Sequence, residues 1–210
     1  MSKRQQQKLE RRDIIVQAAK ELILQRGIHD VQLQDVAQEA GIGIATLYRY
    51  FPNKEQLVLA VSNIITQQMT EALRAITTTA GTAYEQLECM LDYYIEFSDE
   101  PEHRFLKFFR AFEQYKPGME ESEAHAEYLA IRRELVTVLL ILVEKGKQDG
   151  SLRSDIDLNV YIVTAIHNMS HFTTETALIQ YDPMLPLELT MKKQLVLLKD
   201  MLLMYVRPFH

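Results

Sequence analysis

Apolar residues recur at intervals of three and four along nearly the whole chain, the spacing that aligns one face of an α-helix. Glycine and proline, which would break such runs, number only seven and six in 210 residues and stand mostly where a run ends. Counts that low exclude a collagen-like repeat, a disordered linker and a loop-rich β architecture. An all-α fold is therefore expected. Ile15, Ala18, Ala19, Leu22 and Ile23 make a first helix near residues 8–26, closed by Gly27. Leu33, Val36, Ala37 and Ala40 make a short second helix, stopped by Gly41. Residues 44–50 make a third, with Leu47 and Phe51 as its buried pair, and Pro52 ends it. Asn53 caps a fourth helix of about 25 residues, roughly 37 Å, with Gln56 at the reciprocal capping position. Five further helices are expected near 82–98, 101–115, 121–147, 155–180 and 187–206. The last two are apolar on more than one face, so a partner subunit is expected to bury Ile162, Ile166, Met169, Leu195, Leu198 and Leu202, in some combination, in a four-helix bundle.

Charge is divided unevenly. Residues 1–60 hold nine Lys/Arg against seven Asp/Glu, and the remaining 150 hold 14 against 22, giving the net charge of −6. A slightly basic head on an acidic body permits nucleic-acid binding by the head; a solvated helix start explains it equally well. The segment Lys3 to Arg12 reads either as a basic arm for an adjacent minor groove or as a solubilising tail. No apolar stretch follows the N-terminal charges and no apolar run is long enough to cross a bilayer, so a cytoplasmic protein without membrane association is expected. One cysteine, Cys89, excludes a disulfide framework and multi-cysteine metal sites, and its apolar neighbours make it read as a core thiol.

Residues 33–51, LQDVAQEAGIGIATLYRYF, carry the functional signal. Two short helices joined by Gly41-Ile42-Gly43 describe a helix-turn-helix, with Ala37 small where the helices cross and Ile42 plugging the core. Gly43 at the second N-cap leaves backbone N–H groups for a phosphate. Thr46, Tyr48, Tyr50 and Lys54 are suitable donors to phosphate oxygens, and a structural helical hairpin is the bland alternative.

Residues 14–60 resemble the DNA-binding domain of the TetR family of regulators. The matching positions run from Ile15, Ala18-Ala19 and Gly27 through Val36-Ala37 and Ala40-Gly41-Ile42 to Thr46-Leu47-Tyr48-Arg49-Tyr50-Phe51, Lys54 and Leu57. The resemblance implies a DNA-binding domain over 1–54, a helical ligand-binding and dimerisation domain over 55–210, and a homodimer on palindromic operator DNA. It places Gln34, Ile44 and Ala45 at base-reading positions and Gly43, Thr46, Tyr48, Tyr50 and Lys54 at the backbone. Gln34 suits adenine, whereas Ile44 and Ala45 suit thymine methyls. Gln32 stands where a Ser or Thr often caps the second helix, which weakens that start.

The resemblance also implies an effector cavity in the C-terminal domain. Tyr93, Phe97, Phe105, Phe109, Phe112, Tyr128, His167, Met169, His171 and Phe172 are its candidate lining, and ordinary core is the alternative for each. Aromatics and a methionine favour a lipophilic, neutral or cationic molecule. His167 and His171 have metal-compatible i, i+4 spacing, but a third ligand would have to come from elsewhere, with His125, Glu113 and Glu127 as the candidates; polar groups in or beside the pocket are the preferred reading, and neither metal nor cofactor is expected. No phosphate loop, nucleophile elbow or paired-carboxylate motif points to an enzyme. A helical adaptor binding a protein in place of DNA is the competing class.

Overall fold

The computed structural model describes residues 2–98, 104–115, 123–176 and 190–208, and every regular element among them is a helix. In chain order these are α1 (Lys3–Arg26), α2 (Leu33–Glu39), α3 (Ile44–Tyr50), α4 (Lys54–Thr77), α5 (Ala83–Ser98), α6 (Arg104–Tyr115), α7 (Glu123–Asp149), α8 (Leu158–Thr176) and α9 (Met191–Val206). The chain forms two compact units, Met1–Gln67 with Lys107–Ile131, and Gln68–Leu106 with Arg132–His210. No described helix is long and apolar enough to cross a membrane.

In the first unit, α1 starts at Lys3, five residues before the expected start near residue 8. Ser2 explains the difference. Its Oγ accepts from the Gln5 N–H at 3.3 Å, and its own N–H donates to Gln5 Oε1 at 2.8 Å, a reciprocal cap. The basic arm is therefore helix. Gly27, at φ 89°, closes α1 with its N–H on the Ile23 carbonyl at 2.8 Å. The core gathers Ile15, Val16, Ala19, Leu22 and Ile23 of α1 with Val36, Ala37, Leu47, Phe51 and Leu57, each at most 5 % exposed.

The second unit is organised around Leu87, Met90, Leu91, Leu142, Ile162, Ala165, Met169 and Leu195. The end of α7 and the loop after it, residues 149–151, cap α5. Asp149 Oδ2 accepts from the Ala83 N–H at 2.8 Å and Ser151 Oγ from the Tyr84 N–H at 3.1 Å, so both satisfy first-turn donors of α5. Burial works against the Asp149 carboxylate, but the bonds from Ser151 and Ala83 prevail and lower its pKa. Gly146 admits the loop: a Cβ there would clash with the Leu152 side chain. Arg153 ties the loop to the end of α9, its N–H donating to the Val206 carbonyl at 2.9 Å and its Nη1 to the Tyr205 carbonyl at 3.1 Å.

Two expectations are corrected in this unit. Cys89 is exposed, because the face that buries Leu87, Met90 and Leu91 leaves it on the outer side of α5. The apolar residues expected at a subunit interface are inside their own protomer: Ile162, Ile166, Met169 and Leu195 are buried, and Leu198 and Leu202 pack half-buried against the same core. At 100° per residue, the surplus apolar face of α8 carries Val160 and Val163, and that of α9 carries Leu197, Met201 and Met204. Met204 is 74 % exposed.

Candidate nucleic-acid interface

The turn between α2 and α3 is built by the backbone. Gly41 adopts φ 63°, its N–H bonds the Gln38 carbonyl at 3.1 Å, and the Ile42 N–H reaches the Ala37 carbonyl at 2.9 Å. That paired closure is the Schellman arrangement, which needs a left-handed residue where Gly41 stands. The start of α2 is firmer than Gln32 alone implies, because the Asp35 carboxylate accepts from the Gln32 N–H at 2.9 Å. Gly43 caps α3 with no side chain and an extended φ of −70°, and nothing lies within 4 Å of where its Cβ would be. No side chain caps the first turn of α3, which leaves the Ile44 and Ala45 N–H groups uncovered, while the Thr46 N–H turns back to the Gly43 carbonyl at 2.8 Å.

Because Leu47 is fully buried and Phe51 nearly so, the opposite side of α3 must face outward. Gln34, Gly43, Ala45 and Tyr48 are exposed, and Ile44, Thr46, Tyr50 and Lys54 are half-buried at the margin. The structure thus brings all eight expected contact residues onto α2, the turn, α3 and the start of α4. Asn53 holds that start, its Oδ1 accepting from the Gln56 N–H at 2.9 Å. Lys54 is steered by a bond from Nζ to the His29 carbonyl at 3.1 Å. Partial burial lowers its pKa, against the pull of Glu55 and Asp30. An ammonium has three donors, so the His29 bond leaves capacity for a phosphate oxygen.

Three neighbours of this surface have contacts that the sequence does not show, although Arg49 lies in the matched stretch and Arg12 in the basic segment. Arg49 donates from Nη2 to Thr46 Oγ1 at 3.4 Å, within α3. Arg12 lies over the Phe51 ring, 5.6 Å from its centroid, and pairs with Glu127 of α7 at 2.9 Å. Tyr115 of α6 donates to Glu55 Oε1 at 3.3 Å and meets the His29 ring edge-on at 5.9 Å. Burial and Glu55 together raise the Tyr115 pKa. Helical phase does foreshadow Arg12, which precedes Ile15 by three and Val16 by four; Glu127 and Tyr115 are remote in sequence and leave no local signal.

The candidate effector residues divide. Tyr93, Phe97 and Phe105 stack in sequence within the second unit, with centroids 6.1 Å and 5.1 Å apart. Phe109, Phe112 and Tyr128 belong to the first unit, where Phe112 lies 5.9 Å from Phe108 and 6.2 Å from Tyr128. Met169 is fully buried and Phe172 packs against the core of the second unit. His167 and His171 do not join them. They are exposed on α8, because the face carrying Tyr161, Ile162, Ala165, Ile166 and Met169 is turned inward. A concavity of about 330 Å³ lies instead between α8 and α9, lined by residues including Val160, Tyr161, Thr164, Leu202 and Tyr205. Among the described residues no group of three or more His, Cys, Asp or Glu is arranged to hold a metal.

Residues 15–61 match the family model for bacterial regulatory proteins, tetR family. Over 146 residues the chain is 25% identical to a fatty acid metabolism regulator protein of Bacillus subtilis, spanning 70% of this chain and 73% of that one. Other curated relatives, described as HTH-type transcriptional regulators, match over less than half their own length. Among solved structures, the FadR regulator of Bacillus subtilis in complex with stearoyl-CoA aligns over 90% of this chain and 96% of its own, with TM-score 0.64 and 19% identity. A Saccharomonospora viridis regulator in complex with choline aligns over 94% and 98%, with TM-score 0.72 and 16% identity. These likenesses extend the shared fold from the helix-turn-helix to nearly the whole chain.

Proposed function

We propose that this chain, a TetR-family transcriptional regulator by its matched helix-turn-helix, works as a homodimeric repressor that a lipophilic small molecule releases from a palindromic operator. One observation carries the reading: a helix-turn-helix whose buried side is Val36, Ala37, Leu47 and Phe51 presents Gln34, Ala45 and Tyr48 outward beside an uncovered α3 N-terminus. The division of roles follows from chemistry. Gly43, Thr46, Tyr48, Tyr50 and Lys54 hold phosphates and set the pose, and Gln34, Ile44 and Ala45 read base edges. The two half-sites mirror the two-fold symmetry of the dimer and lie about one helical turn apart, which puts both on one face of the duplex. The boundary of the DNA-binding domain is placed at residue 54, and the protein acts in the cytoplasm, by binding and without turnover.

The exposed apolar face of α8 and α9 supports the dimer, since a surface of that kind is covered in a stable protein. Stacked aromatics at Tyr93, Phe97 and Phe105 support a lipophilic effector. One structural neighbour is in complex with stearoyl-CoA, an apolar acyl chain on a phosphorylated carrier, and another with choline, a small cation; the acyl chain supports a lipophilic effector and choline a cationic one. The effector acts only through a difference in affinity between the DNA-competent and released states. Retention of random-sequence duplexes by the purified protein tests the reading. A two-fold symmetric consensus is expected. Lys54→Ala should weaken every duplex alike and lower the salt slope by about two, one phosphate for each subunit, and Gln34→Ala should change preference among sequences. Retention without any consensus would overturn it.

A further inference from the structure

The first three turns of α1 form a helix with nothing to bury. Every residue from Lys3 to Arg11 is exposed, and the buried run begins only at Ile15. The charges are also badly placed for helix stability. Lys3 and Arg4 occupy the first turn, where the macrodipole favours anions, and no acidic residue stands there. Arg4, Lys8 and Arg12 follow at i, i+4 and i+8, which stacks like charges on one stripe with Arg11 beside it. Glu127 and Phe51 account for Arg12. Among the described residues, no carboxylate pairs with Lys3, Arg4, Lys8 or Arg11. A helix that breaks its own charge rules without an internal gain points to a partner that supplies the missing anions.

We infer that this overhang is a second nucleic-acid contact, outside the helix-turn-helix, which lays Lys3, Arg4, Lys8 and Arg11 along the phosphate backbone flanking each half-site. The inference rests on the regulator reading above. Its helical state decides the mode. A helix with side chains is about 10–12 Å across and the minor groove of B-DNA about 6 Å wide, so the overhang cannot enter as an extended arm does. Phosphates remain within reach, and they add affinity and salt dependence without sequence preference. Position agrees with this. Arg12 sits over Phe51, the residue that ends α3, and Lys3 lies nine residues earlier, about 13 Å along the helix.

The test compares the full chain with the quadruple variant Lys3→Gln, Arg4→Gln, Lys8→Gln, Arg11→Gln across a salt series. The probes are a duplex selected by the wild type from a random pool, with about 15 flanking base pairs on each side, and the same duplex trimmed to its consensus. Glutamine keeps helix propensity, and far-UV circular dichroism checks that α1 is retained. On the flanked duplex the log–log salt slope of the variant should be shallower by about four to seven, at roughly 0.9 for each of up to eight phosphates, four per subunit, that the dimer no longer neutralises. Its sequence preference should not move, and on the trimmed duplex the two proteins should converge. The charge-keeping variant Arg4→Lys, Arg11→Lys should retain the wild-type slope. Equal slopes for wild type and quadruple variant would overturn this contact while leaving the regulator reading standing, as would a loss seen only on anionic vesicles or an acidic polypeptide. Failure of the wild type to bind any duplex would overturn both.

Discussion

The helix-turn-helix and the α8–α9 pair share one helical periodicity but finish differently. Around α2 and α3 the bulky apolar side chains close on one another, with Leu47 and Phe51 buried, and the outer side is left to Gln34, Tyr48 and backbone N–H groups. Along α8 and α9 an equally complete core of Ile162, Ala165, Met169 and Leu195 is backed by a second apolar surface, Val160, Leu197, Met201 and Met204. The first region presents polar donors whose bonds need an outside acceptor. The second presents area that water penalises and a copy of itself can cover. Both surfaces are exposed; their chemistry separates a nucleic-acid partner from a protein one.

The sharpest way to break that contrast is to charge the second surface. Leu197→Glu with Met204→Glu should weaken the dimer at least about a thousandfold, near 4 kcal/mol, because two carboxylates per subunit would be buried without partners. Sedimentation at micromolar concentration should then report 24.4 kDa in place of about twice that mass, with helix content unchanged. An undisturbed dimer would remove α8 and α9 from the interface. An effect of opposite kind and similar size is expected in the first region. Leu47→Ala empties a fully buried site and should cost about 2–5 kcal/mol in urea unfolding, with loss of duplex binding but retention of the dimer. Simultaneous loss of the dimer would mean that the two surfaces are not independent.

The smallest effect sharpens the comparison by probing a cap in the second unit that is made by a remote side chain. Asp149→Ala should cost about 1 kcal/mol at pH 7, the usual worth of an N-terminal cap, through the lost bond to the Ala83 N–H. The Asp149 pKa is lowered in the folded protein, so its contribution is present above the unfolded value of about 3.9 and is lost as pH falls through the lower folded value. Denaturant titrations of both proteins between pH 7 and pH 2 should converge at the acid end. A gap that stays constant with pH would assign the loss to packing and not to the carboxylate.

Helix positions are legible in the chain because each stop has a local cause. Gly27 and Gly41 take positive φ, Asn53 caps α4, and Leu47 and Phe51 share one helical face. The early start of α1 is hidden because Ser2 and Gln5 cap each other three residues apart amid charges that suggest a tail. Cys89 misleads for a subtler reason. Apolar neighbours in sequence do not surround a helical residue, since Leu87, Met90 and Leu91 lie on the face that Cys89 leaves.

What the sequence by itself determined is the short-range part: the all-helical fold, the helix-turn-helix and the outward row from Gln34 to Lys54. Those features follow from spacing of four residues or fewer, which the backbone imposes whatever it packs against. Tertiary structure alone decided which of two apolar faces on α8 and α9 turns inward. Ile162 and Val160 are both branched aliphatics on one helix, and only the neighbours supplied by α5 and α9 select the first for the core. The same holds for His167 and His171, placed outside, and for the Arg12–Glu127 pair across 115 residues. Periodicity states how wide an apolar stripe is. The packing of remote helices states which part of it is left for a partner.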